Sequence, residues 1–478
     1  MSDTYLAERI DKAALNRFFE GCEQYRLDLH ALVVYHKNEL VIDLAQKPYT
    51  THQKAQLYSL SKSFASTAIG LAVQEGLLSL SDRAYTFFPT LTSDSLSTRA
   101  KAVTLRDLLT MRSGHAACVM EKMVRAHDPA AAFFAADFAY EPGTHFVYNT
   151  GATYLLSAVL TAVTGMTLYD YLQPRFFEPL GIDASWSSIH KISEGGTGLH
   201  ISCHDIATFG LVYLNEGMYH GRRILPASWV REATAKHADN AVTPNATKDW
   251  SSGYGYQFWR CSNGAYRADG AFGQLCVIDT ERELVFAMQC ELRDMQNELD
   301  LVYDLLDHII AKKPTPDSTL EPAYTSAKPV LHFADESQPA WLGQTFAFAP
   351  NRFGLTRGSF ALCDAGLEFC FSDGTCQQTL RMGADCWLEN RVWIWNLKPC
   401  LRMIKQEKQS CAYVAAAYRF EAGTLHIYLR YLDTPHCQEL RCSCENGQFI
   451  MDILCHDGLM EDEKPRVTGR KISDRIGL

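Results

Sequence analysis

The chain has 478 residues, 47% of them hydrophobic and 21% charged, and its 45 Lys and Arg against 55 Asp and Glu give a formal charge of −10. This excludes disordered and collagen-like chains, and at roughly 150 residues per domain it predicts two or three domains, each long enough to bury a core. An acidic balance (pI ≈ 5.9) with scattered basic residues also argues against nucleic acid or an anionic membrane as the main partner, and leaves small neutral or cationic ligands.

In chain order, Met1 to Tyr5 lacks the basic and apolar regions of a secretory signal, which predicts a cytoplasmic protein. A helix is expected over Leu6 to Cys22, then a hairpin of Ala31–Tyr35 and Leu40–Leu44 around His36-Lys37-Asn38. Helical segments follow. The most apolar of them, Tyr154 to Met166, is interrupted by Ser157, Thr161, Thr164 and Gly165 and is far short of the ~20 apolar residues that span a bilayer. The β-like runs Tyr254–Arg260, Gln274–Asp279 and Leu284–Cys290 then precede a helix with Leu299, Val302, Leu305, Leu306 and Ile309 at helical spacing. Strands at both ends with helices between predict one antiparallel sheet flanked by helices, an α/β (α+β) domain over residues 1–311.

From Lys312 to Pro329 four prolines deny any regular element, so residues 312–330 read as a linker. Over residues 331–478 the runs Phe346–Phe348, Leu367–Phe371, Val392–Trp395, Ala412–Phe420, Leu425–Leu432 and Gln448–Ile453 are short, aromatic and β-branched. Hairpin signals such as Ser372-Asp373-Gly374 and Glu445-Asn446-Gly447 lie among them. This is the pattern of an all-β, barrel- or sandwich-like domain. Ten of the 16 cysteines lie between Cys363 and Cys455. In a long chain without an export signal they read as reduced thiols, and Cys442-x-Cys444 reads as strand alternation rather than a metal clip. Neither a metal nor a cofactor is expected.

The most informative stretch is Leu57-Tyr58-Ser59-Leu60-Ser61-Lys62, leading into Ala65–Leu78. Residues three apart share a helix face, so the Ser59 hydroxyl and the Lys62 amine can meet. Serine is a poor nucleophile until a base takes its proton. A lysine can be that base if burial or cationic neighbours lower its pKa, and a helix N-terminus favours the alkoxide and later oxyanion. The same spacing recurs at Ser188 and Lys191, but with no following helix to orient it. His200, His204 and Asp205 have helical ligand spacing, yet read as the start of a helix that Asp205 favours electrostatically. No Gly-x-Ser-x-Gly elbow, His-Glu-x-x-His motif or Walker loop occurs.

Further segments carry a resemblance. Gly76-Leu77-Leu78-Ser79-Leu80-Ser81-Asp82 and Val103-Thr104-Leu105-Arg106-Asp107-Leu108-Leu109 follow the Ser59 helix. Then come Glu141-Pro142-Gly143-Thr144-His145-Phe146-Val147-Tyr148-Asn149-Thr150-Gly151 and Gly195-Gly196-Thr197-Gly198-Leu199. This order resembles the serine β-lactamase-like, penicillin-recognising hydrolases, especially the class C β-lactamase branch with its esterase and amidase relatives, over roughly residues 10–310. The resemblance implies a β-lactamase/transpeptidase-like fold with Ser59 as nucleophile and Lys62 as its partner. The family's Tyr-x-Asn or Tyr-x-Ser element falls on Tyr148, with Thr150 in the third position. Aligning on Asn149 instead would put Val147 in the tyrosine's place, but a phenol can move protons and a valine cannot. The third element, Lys-Thr-Gly or His-x-Gly in the family, is here Ala268-Asp269-Gly270.

The N–H groups of Ser59 and Ala271 are implied as the oxyanion hole, with Thr150, Arg267, Asp269 and Gly270 on the substrate side. The cation that holds a substrate carboxylate is missing unless Arg267 swings in. Asp269 either recognises a substrate amine or caps a turn. The resemblance thus implies a metal-free serine hydrolase that acts through an acyl-enzyme on a small ester or amide, with β-lactams less favoured. One rival is a binding protein that keeps the fold without the reaction, and another makes the β domain a lipid- or ligand-binding barrel with the hydrolase as accessory. The β domain is expected beside the active-site mouth, restricting access.

Overall fold

The computed structural model describes residues 5–241, 246–292, 294–310, 338–384, 386–392, 412–455 and 465–472. Seven strands form an antiparallel sheet in the spatial order Tyr5–Leu6, Glu39–Ala45, Asp28–His36, Leu284–Glu291, Gln274–Asp279, Tyr266–Gly270 and Trp259–Arg260. Its central seam joins segments from opposite ends of this unit, with Val33 opposite Ala287 and Val34 opposite Phe286. Because side chains alternate across a strand, Ala31, Val33, Val285 and Ala287 face one core, shared with the helices Ser61–Gln74, Thr150–Thr164 and Cys203–Leu214. Leu32, Val34, Phe286 and Met288 face the other, shared with the helices Lys12–Gln24 and Met295–His308. The sheet flanked by helices is therefore the expected architecture.

Local differences from the expected elements have simple causes. Leu6 belongs to an edge strand paired with Ile42, and the first helix begins only at Lys12, because the Asp11 side chain caps it by accepting from Ala13 and Ala14 N–H. The expected hairpin forms around Lys37 and Asn38, at φ 53° and 62°, the left-handed pair of a two-residue turn. The expected strand at Tyr254 shrinks to Trp259–Arg260, since Gln257 takes φ 64°. That turn lets the Gln257 amide reach Leu108 and Leu109 carbonyls and accept from Thr153.

The second unit is a ten-stranded antiparallel sheet that nearly closes into a barrel, its edge strand Gln377–Met382 approaching Ala412–Glu421 through a bridge between Gly383 and Ala417. Phe346, Phe360, Phe369 and Phe449 fill its interior, Phe360 and Phe369 stacking at 4.2 Å. Arg357–Cys363, Gln377–Met382 and Arg466–Lys471 are strands that the sequence did not announce. They are polar on the solvent face and carry too few β-branched residues. Cys442 faces the core and Cys444 lies at its border within one strand, the alternation expected of them. The expected run Val392–Trp395 is the end of the strand Leu388–Val392, with 393–395 outside the described residues. The linker 312–330 also lies outside them.

The barrel docks on the segment that precedes Ser59. Gln53 Nε2 donates to the Leu432 carbonyl at 2.6 Å, and Gln56 N–H to the Asp433 carbonyl at 3.0 Å. Tyr49 packs with Ala415 and Leu432, and Arg430 pairs with Asp28. Among the described residues no single helix is long and apolar enough to cross a membrane.

Candidate active site

Ser59 lies in the helical turn Tyr58–Leu60, which runs directly into the helix Ser61–Gln74. Phe64, Ala65, Ala68, Ile69 and Ala72 bury that helix in the larger core, so the side chains at its start are held rigidly. Lys62 is 1% exposed. Its Nζ donates to Ser59 Oγ at 2.9 Å and to the Gly196 carbonyl at 2.7 Å, and lies 5.0 Å from the centroid of the Tyr148 ring. Burial pulls the Lys62 amine down from the usual lysine range to about 7, against the opposing influence of Cys118 and Asp269.

The Gly195-Gly196 pair makes this geometry possible. A Cβ on Gly196 would stand 2.6 Å from Thr150 Cγ2, and one on Gly195, at φ +67°, 2.9 Å from the Thr153 carbonyl oxygen. The pair thus delivers a carbonyl to Lys62 in a space no side chain could share. In the sequence it marked only the fold.

Tyr148 is the tyrosine that meets Lys62. Its ring stacks on Trp259 at 5.4 Å and meets Tyr254 edge-on at 6.3 Å. Burial, then the Asp269 carboxylate, push its phenol far up, while a hydrogen bond with Ser59 opposes them. Val147 lines the same cleft but has no group to transfer a proton. Asn149 is buried, and its Oδ1 accepts from the Gly151 and Val119 N–H groups. It caps the helix Thr150–Thr164. Thr150, placed on the substrate side from sequence, begins that helix with its methyl against Gly196 and is not among the cleft-lining residues.

The strand Tyr266–Gly270 runs beside the turn that carries Ser59. A Cβ on Gly270 would lie 2.0 Å from the Leu57 carbonyl oxygen, so glycine here sets how closely the strand approaches the turn that carries Ser59, and Gly270 acts through that contact rather than by lining the cleft. Gly270→Ala is expected to cost about 1–3 kcal/mol of stability by forcing the strand away from the turn that carries Ser59, which thermal unfolding measures.

Arg267 does not swing into the cleft. It is fully buried, with Nε 2.8 Å from Asp269 Oδ2 and the guanidinium 4.6 Å from the Trp250 ring centroid, while Nη1 donates to the Asp249 and Arg260 carbonyls. Asp269, for which amine recognition and turn capping were both open, is the counter-ion of Arg267 and borders the cleft. Burial raises its carboxyl, with Arg267 opposing.

A cleft of about 1190 Å³ opens over Ser59, Tyr148 and Ala271, walled by the rings of Tyr140, Phe146, Trp250 and Trp259. Its carboxylates are Asp269 and Asp294, and no Lys or Arg lines it among the described residues. Asp294 is occupied as the cap of the helix Met295–His308. None of the described residues after 337 lines the cleft. Among the described residues the barrel therefore meets the segment before Ser59 and does not wall the cleft, unlike the expected place beside the mouth, because its docking loop packs on that segment.

The rival motifs are placed elsewhere. Ser188 and Lys191 lie in a tight hairpin, with His190 and Lys191 at φ 52° and 64°. Asp205 forms a capping box with Ser202, the helix-start role expected of it. His204 pairs with Asp43 at 2.8 Å and stacks on His52 at 4.2 Å. Asp43, His52 and His204 have metal-ligand spacing, as do Asp28, Glu291 and Cys437. In each set two candidate ligand atoms already bond each other, Cys437 Sγ donating to Glu291 Oε2 at 2.7 Å in the second.

A family model described as Beta-lactamase matches residues 15–306. The chain belongs to the beta-lactamase family. It is 24% identical over 233 residues to a beta-lactamase of Escherichia coli strain K12, covering 45% of this chain and 59% of that one. To the lovastatin esterase of Penicillium rubens it is 25% identical over 210 residues, covering 38% and 51%. The chain thus spans between half and three-fifths of these curated relatives. Its fold matches a penicillin-binding protein homolog from Caulobacter crescentus with a TM-score of 0.52, at 17% identity, over 64% of this chain and 99% of that one. Hydrolases of different specificity thus share this family's fold.

Proposed function

We propose that the protein is a serine hydrolase that forms an acyl-enzyme on Ser59 and releases the acid from a small, uncharged ester or amide. The observation that carries this reading is the 2.9 Å contact between Lys62 Nζ and Ser59 Oγ, with an amine that burial brings to about 7. Such an amine is partly neutral at neutral pH and can take the serine proton as Oγ attacks the acyl carbon. The Ser59 and Ala271 N–H groups receive the oxyanion. In this reading Tyr148, whose phenol burial keeps protonated, gives its proton to the leaving group and regains one from Lys62; in deacylation neutral Lys62, through Tyr148, takes the proton of the attacking water and returns it to Ser59 Oγ as the acyl bond breaks.

Two features support the substrate class. The cleft wall is aromatic and apolar, which suits a hydrocarbon-rich acyl or alcohol group. The neighbouring cation, Arg267, is neutralised by Asp269 beneath the surface, so a substrate carboxylate finds no Lys or Arg among the described lining residues.

Fluorophosphonate labelling with mass identification of the modified residue tests the reaction, and turnover of neutral aryl esters against the carboxylate-bearing β-lactam nitrocefin tests the substrate class. Labelling at Ser59 and faster ester turnover are expected. An unlabelled protein would favour the binding-protein alternative, and nitrocefin hydrolysis as efficient as ester hydrolysis would overturn the substrate assignment.

A further inference from the structure

Tyr58, immediately before the nucleophile, takes φ +48°, a left-handed conformation that a bulky L residue adopts only when its surroundings impose it. One partner of its side chain comes from the barrel. The Tyr58 hydroxyl lies 2.6 Å from His436 Nε2, in the loop that joins the barrel strands Thr424–Tyr431 and Cys437–Glu445. His436 is fully buried, and its Nδ1 stands 3.3 Å from Oε1 of Glu291, itself 2% exposed at the end of a sheet strand in the first unit. With the Nδ1 proton donated to that carboxyl oxygen, Nε2 holds the lone pair that accepts the Tyr58 hydroxyl proton.

The same imidazole touches the other side of the site. Phe272, which follows Ala271, also has a left-handed backbone, at φ +66°. Its ring lies edge-on to His436 at 4.8 Å and to Tyr58 at 5.1 Å. Two strained residues, each adjacent to one of the two oxyanion N–H groups, thus converge on one side chain from the barrel. The loop itself is stitched to the segment before Tyr58 by the bonds from Gln53 to Leu432 and from Gln56 to Asp433.

We propose that His436 is a positioning residue for acyl transfer: through Tyr58 and Phe272 it fixes the Ser59 and Ala271 N–H groups, making the barrel an integral part of the catalytic apparatus. The inference rests on the acyl-enzyme reading. A misplacement of the oxyanion donors lowers the chemical step more than substrate binding, because the donors bond most strongly to charge that develops in the transition state.

The test uses the full chain and p-nitrophenyl acetate, comparing Tyr58→Phe, His436→Phe, the double variant and His436→Gln, with fluorophosphonate labelling and thermal unfolding of each. Tyr58→Phe and His436→Phe are each expected to lower kcat roughly tenfold with KM within about twofold. The double variant should be no slower than the slower single variant, since both remove one interaction. His436→Gln, whose amide oxygen can still accept from the phenol, should recover most of the rate.

Wild-type kcat in both single variants, or losses that multiply in the double variant, would overturn the inference while leaving Ser59 labelling intact. If His436→Phe does not fold, Tyr58→Phe decides, because it removes only one oxygen atom. Failure of the wild-type protein to label at Ser59 would overturn the acyl-enzyme reading itself, and this inference with it.

Discussion

Ser59→Ala is expected to lower kcat/KM for an aryl ester by about 10⁴-fold or more, and to abolish the fluorophosphonate adduct in the intact mass. The scale follows from what the substitution removes and what it leaves. The attacking oxygen is lost, and with it the acyl-enzyme. The N–H of residue 59, the Ala271 N–H and the aromatic cleft remain, so the proposed reaction should keep a residual acceleration over water, as serine proteases do when they lose a nucleophile. The fold should hold, since Lys62 keeps its bond to the Gly196 carbonyl and no buried side chain is enlarged. Ester turnover within tenfold of wild type would show that Ser59 is not the nucleophile.

Lys62→Arg is the second large effect, about 10³-fold on kcat/KM, and it separates a base from a fixed cation. A guanidinium keeps the positive charge and the donors but cannot give up its proton in this pH range. Only the neutral amine can accept the serine proton. Wild-type kcat/KM should therefore rise with pH through about 7, as the buried amine deprotonates, and level off above. The variant should lose that rising limb as well as the rate. Tyr148 supplies no replacement limb, since burial and Asp269 push its phenol upward. Lys62→Met, close in length and apolar, controls for the bulk of arginine, and thermal unfolding checks both variants. Activity of Lys62→Arg within tenfold of wild type would assign the proton transfer elsewhere.

How much of the site was legible in sequence depends on how local each contact is. Ser59 and Lys62 are three residues apart on one helix, and helical geometry alone brings them together. Tyr148 was picked out through the family's segment order, and the structure puts its ring 5.0 Å from Lys62 Nζ, whereas the neighbouring Asn149 is taken up as a helix cap by the Gly151 and Val119 N–H groups. Thr150 and Arg267 were misplaced for a shared reason. A residue's position in a motif does not say which way its side chain turns, and here one turns onto Gly196 and the other into a buried ion pair under two indole rings.

The sequence by itself determined the elements and their chemistry: alternating apolar strands at both ends of the first unit, a helix with serine and lysine on one face, and a second unit of short aromatic strands. It also carried the family's segment order. Only the tertiary structure decided what happens between segments far apart in the chain. It brought the Gly196 carbonyl to Lys62, sank the charge of Arg267 against Asp269, and put His436 against Tyr58 across 378 positions. These contacts follow from packing two units together, and no periodicity or spacing encodes them, because each partner is an ordinary residue until the fold buries both at the same point.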